Sequence, residues 1–78
     1  MKIIMCKFKE PFNNTDKNII MSKGLIPGDS LVINSADLQG NILLKDWEDE
    51  DPQKTCEFWH TELQDIMEDN ILIEVVAV

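Results

Sequence analysis

Two cysteines, one histidine and a large excess of carboxylates are the side chains of this chain that could do chemistry. Cys56 and His60 stand four residues apart. That spacing puts a thiol and an imidazole on one side of a helix, as in a nucleophile with its base. No third orienting residue, glycine-rich phosphate loop or GxSxG segment accompanies them. A helical histidine beside a tryptophan, here Trp59, is more often a half-buried structural residue. The same pair with Cys6 would offer three zinc ligands, yet structural zinc sites carry short paired spacings such as CxxC, which this chain lacks. Glu48-Asp49-Glu50-Asp51 attracts cations but misses the glycine and distal glutamate of an EF-hand. It reads as a solvated acidic loop. No catalytic residue, cofactor or metal is expected.

The charge is the stronger signal. The net charge is −8 and is unevenly placed. Residues 1–45 hold six lysines against Glu10, Asp16, Asp29 and Asp37, and residues 46–78 hold eleven acidic residues against Lys54. There is no arginine, so the planar fork that reads phosphate and guanine is missing. Direct nucleic-acid binding is not expected. The scattered lysines near the N-terminus read as protection of strand edges. The carboxylates cluster at Asp46, Glu48, Asp49, Glu50, Asp51, Glu57, Glu62, Asp65, Glu68 and Asp69. With Trp47 and Phe58 among them, they form the candidate surface for a protein partner that is itself basic. Carboxylates on neighbouring helical turns lie about 5–6 Å apart. The charge spacing along a DNA strand is comparable, about 3.4 Å of axial rise per phosphate. Such a surface can occupy a basic nucleic-acid groove. The competing reading is that the acidity serves solubility alone.

The elements that must position these residues follow from periodicity. Asp51-Pro52 is a helix start, a cap followed by a proline at the first helical position. Cys56, Trp59, Leu63, Ile66 and Met67 fall on one arc, which predicts a helix over 51–69 closed by Asn70. Lys2–Lys9 alternates as a strand with Ile4, Cys6 and Phe8 on one face. Asn13–Asp16 reads as a loop, and Lys17–Lys23 as a short strand or an extended crossing broken by Gly24. Ile26-Pro27-Gly28-Asp29 is a turn. Ser30–Asn34 and Asn41–Asp46 are two strands of a hairpin joined by 35–40. Ile71–Val78 is apolar on both faces except Glu74, the pattern of an interior strand. The fold class is α+β: a two-layer domain over residues 1–78, with a four- to five-stranded antiparallel or mixed sheet and one amphipathic helix on one face. Ile4, Phe8, Leu31, Ile33, Ile42, Leu44, Ile73 and Val75 are the inward residues expected to meet that helix.

Seventy-eight residues make one domain that buries roughly 60% of its unfolded surface. Lys2 is followed by too short an apolar run for a secretory signal, and no stretch reaches membrane-spanning length. A cytoplasmic location, with no membrane contact and with Cys6 and Cys56 reduced, is the expectation. A homodimer is compatible with the sequence.

Small size, strong acidity, a sheet with one helix and no catalytic motif together resemble phage-borne inhibitors of bacterial defence, anti-CRISPR proteins above all. The resemblance implies a non-enzymatic, stoichiometric inhibitor, a DNA mimic or other blocker of a nucleic-acid-binding effector such as a defence complex. A second resemblance is local. Gly24-Leu25-Ile26-Pro27-Gly28-Asp29 leading into Ser30–Ile33 and Gly40–Leu44 is similar to the swapped hairpin of the AbrB/MazE family. It implies a dimeric DNA-binding regulator or antitoxin. The basic residues and helical segment that family places before the hairpin are absent here. A small structural or housekeeping domain is the third reading.

Overall fold

The computed structural model describes residues 3–25, 32–45 and 51–78. Trp47, the acidic run 46–50 and the turn at 26–29 lie outside the described residues. Six elements follow one another: β1 (Ile3–Phe8), α1 (Asn14–Gly24), β2 (Val32–Ala36), β3 (Asn41–Lys45), α2 (Pro52–Glu62) and β4 (Leu72–Ala77). The strands form one antiparallel sheet in the order β2-β3-β1-β4. Two βαβ units therefore interleave, with β3 between β1 and β2 and with β1 between β3 and β4. This connectivity is the split βαβ, or ferredoxin-like, plan. The α+β class holds, with two helices where one was expected.

Alternation in β1 buries Ile4, Cys6 and Phe8 and leaves Ile3, Met5 and Lys7 on the opposite face. Pairing carries the same parity across the sheet. Cys6 faces Ile42 and Leu44 faces Ile33. These inward residues form one core with Phe12 and Ile20 from the β1–α1 segment and α1, and with Cys56, Trp59, Leu63 and Met67 from α2 and its exit. Both helices thus lie on one face of the sheet. No described element covers the other.

The second helix, α1, replaces the loop and extended crossing expected at 13–23. Asn13 caps it, its side chain accepting from the Asp16 amide at 2.7 Å. Asp16 in the first turn and Lys23 in the last complement the helix dipole. The helix buries little beyond Ile20 and Gly24, which are four residues apart. A Cβ at Gly24 would stand 2.4 Å from the Ile33 Cβ. The missing side chain is what lets α1 rest on β2.

The β2–β3 turn holds itself together and then holds β1. The Asp37 carboxylate accepts from the Gln39 and Asn41 amides at 2.8 and 3.0 Å and from the Asn41 side chain at 2.9 Å. Partial burial pushes the Asp37 carboxyl up, but these hydrogen bonds outweigh it and hold the group below the ordinary aspartate range. Gly40 has φ +96°, and a Cβ there would meet the Glu10 carbonyl at 2.6 Å.

Two further corrections concern the C-terminal third. Helix α2 begins at the expected cap, with Asp51 accepting from the Gln53 amide. It ends at Glu62, not at 69. Tight turns continue the chain, with the Gln64 amide donating to Thr61 and the Asn70 amide to Met67. The carboxylates at 62, 65, 68 and 69 would crowd the negative end of a longer helix dipole, and the turns still bury Leu63 and Met67. Strand β4 is an edge, not interior: Ile73 is 59% exposed rather than core, and Val75 is only partly buried.

Candidate functional site

The acidic residues divide into two groups. Glu57, Phe58 and Glu62 lie on the outer side of α2 and are exposed. Phe58 stands edge-on to Trp59, with ring centroids 5.6 Å apart, and keeps 52% of its surface in solvent. Asp51 is spent on the α2 cap. Asp65, Glu68 and Asp69 belong to the turns after α2, so they do not continue a helical ladder. Asp46, Trp47, Glu48, Asp49 and Glu50 lie outside the described residues.

The turn carboxylates meet two that sequence reasoning had not placed at the site. Asp65, Glu68 and Asp69 line a cleft of about 300 Å³ together with Glu10, Pro11, Phe12 and Asp16 from the β1–α1 segment, and with Asn70. Five acidic residues, from segments more than forty residues apart, therefore line one cleft. None of them forms an ion pair with another described residue; the ion pair among described residues joins Lys7 to Glu74 at 3.5 Å.

Asn70 sets the cleft geometry. It is buried, and its side chain grips the Glu10 backbone both ways, accepting from the amide at 2.8 Å and donating to the carbonyl at 2.9 Å. This is the exchange a neighbouring strand would make, here supplied by one amide side chain. The Asn70 carbonyl lies 3.2 Å from His60 Nε2, and the His60 ring packs on Phe8 with centroids 5.3 Å apart. His60 is thus half-buried between β1 and the turn that carries Asn70. Asn70 was expected as a helix stop, and no local signal marks its long-range role.

The cysteines correct an expectation. Cys6 and Cys56 are joined in a disulfide, Cα to Cα 5.7 Å, and both are buried. They were expected to be reduced. Cys56 therefore holds no thiol for His60 to activate and, with Cys6, no free thiolate for zinc. Among the described residues no group of three or more His, Cys, Asp or Glu is placed to hold a metal ion. No helix among the described residues is long and apolar enough to cross a membrane.

No family model matches the chain, and no curated protein or solved structure matches it either. The split βαβ connectivity alone carries no activity.

Proposed function

We propose that this chain is a non-enzymatic inhibitor that binds a basic, nucleic-acid-handling protein through its acidic surface. The observation that supports it most is that Glu10, Asp16, Asp65, Glu68 and Asp69 line one cleft and none of them forms an ion pair with another described residue. A lysine or arginine side chain from a partner is the complement that a cleft of this size and sign fits. The exposed Phe58 on α2 supplies an aromatic anchor of the kind that dominates interface energy.

Two features favour a protein partner over nucleic acid. The surface at the cleft is negative. The open sheet face offers Ile3, Met5, Leu43 and Val76 where a single-strand reader presents aromatic rings for stacking. Imitation of DNA rests on a regular ladder of charges, and α2 carries Glu57 and Glu62 alone of the expected series. The cleft, with a point contact to basic side chains, is the better-supported form of the inhibitor reading.

The test is affinity capture from lysate, with nuclease, using the wild type and the isosteric variant D65N/E68Q/D69N. The expected result is a basic protein retained by the wild type, released by salt, and lost from the variant while its circular dichroism and melting stay unchanged. Capture of the same proteins by both, or of none by the wild type, would mean that the acidity serves solvation alone.

A further inference from the structure

The two edges of the sheet are built differently. Each edge strand carries one register irregularity and packs against one helix, α1 on β2 and α2 on β4, but β2 exposes the polar Asn34 and carries the partly buried Ser35. Polar side chains on an edge work against its pairing. The β4 edge reads Leu72-Ile73-Glu74-Val75-Val76-Ala77 and carries neither proline nor lysine. Its sole charge, Glu74, is tied back to Lys7. Ile71 and Ile73 are each 59% exposed and Val78 is 74% exposed. A single irregularity opposite Lys7 and Phe8 leaves Ile73 without a β1 partner, and the stretch from Glu74 onward is regular.

The direction of the free backbone groups follows from one bond. The Val78 amide donates to Ile3 of β1 at 3.0 Å. Alternation then turns Val76 and Glu74 toward β1 and points the N–H and C=O of Val75 and Ala77 away from the sheet. We infer that β4 pairs antiparallel with β4 of a second copy of this chain, joining two sheets into one across a two-fold axis. This inference is independent of the function proposed above.

The charge pattern selects the register. An axis through Val75 sets Glu74 opposite Val76 of the partner, and one through Val76 sets it opposite Val78. Apolar side chains then face apolar side chains elsewhere along the contact. An axis through Glu74 would put the two carboxylates directly opposite each other, which is destabilising. Area sets the strength. Seven residues of strand run about 24 Å, nearly the width of a molecule measuring 28 × 26 × 19 Å. A contact along that side buries roughly 900 Å² in total, the size of a weak, reversible association. Two copies at −8 each also repel, so the dimer strengthens with salt, the reverse of an acidic surface binding a basic partner.

Sedimentation equilibrium of the full chain, at low and high salt and up to millimolar concentration, tests this. The expected result is a monomer–dimer equilibrium in the micromolar range that tightens with salt. Ala77→Pro removes an outward N–H and leaves the bonds to β1 in place, and it should weaken the dimer by about tenfold or more. Ile73→Lys, at an exposed position, should do the same without altering the melting temperature. A chain that stays monomeric throughout, or a dimer indifferent to both substitutions, would overturn the inference.

Discussion

The two helices share length, face and style of cap, yet they are fastened to the sheet by different physics. Helix α1 is held by shape: Gly24 has no side chain, and Ile33 of β2 fills the space one would occupy. Helix α2 is held by a covalent bond, Cys56 to Cys6 of the central strand β1, with Trp59 and Leu63 packed beside it. The first attachment depends on volume and is blind to redox state. The second depends on the oxidation of two sulfurs. The acidic cleft lies where the start of α1 meets the exit of α2, so its geometry requires both.

The largest effect should come from breaking the covalent attachment. Closing a loop across the fifty positions that separate the cysteines restricts the unfolded chain by about 4 kcal/mol in the chain-entropy account. A domain of this size has a total stability on the order of 4–12 kcal/mol. Reduction by a dithiol, which returns both sulfurs to thiols and is itself oxidised, should therefore shift the urea midpoint by a large part of its value. The double variant C6A/C56A should behave alike. Because both sulfurs are buried, reduction in native buffer should be slow and should accelerate as denaturant opens α2. An unchanged midpoint under reductant would show that the sulfurs are not bonded in solution.

The shape-based attachment should cost less to break. Gly24→Ala forces a methyl against the Ile33 side chain at a distance real contacts do not reach. Either α1 shifts or Ile33 leaves its place, at about 1–3 kcal/mol for overpacking. The loss should be equal in oxidised and reduced protein, measured by thermal unfolding with and without dithiol. If it grew under reductant, the helices would be coupled through the core, and the contrast between them would need to be redrawn.

The contrast also explains what could be read in the sequence. Strict alternation gave away β1 and the β2–β3 hairpin, and Asp51-Pro52 marked the start of α2. The inward arc of Cys56, Trp59 and Leu63 and the inward face of Ile4, Cys6 and Phe8 already aimed the two sulfurs at one core. The expectation of free thiols rests on compartment, which concerns the surroundings of the chain and not its geometry. Helix α1 was illegible because a helix held by a glycine shows no apolar stripe, and Ile19-Ile20-Met21 imitates a strand. The edge position of β4 was illegible because apolar residues on both faces mean burial in most sheets and leave no trace of which strands pair. The cleft needed tertiary structure, since Glu10 and Asp16 are far in sequence from Asp65 and join it through Asn70.

The smallest effect should come from Trp59→Phe. Its indole Nε1 is buried and has no hydrogen-bond partner. An unmet donor of this kind costs about 1–3 kcal/mol, so α2 carries a local penalty at its most buried aromatic that α1 does not. Trp59→Phe deletes the orphan donor and also leaves a void, which costs about 24 cal/mol for each cubic ångström that fails to collapse. The two terms oppose each other, and the net change should fall within about 1 kcal/mol. Trp59→Ala removes the ring as well and should cost about 3–5 kcal/mol. A Phe variant as damaged as the Ala variant would mean that the indole N–H is satisfied in solution, and that α2 is seated by a polar contact in addition to its disulfide.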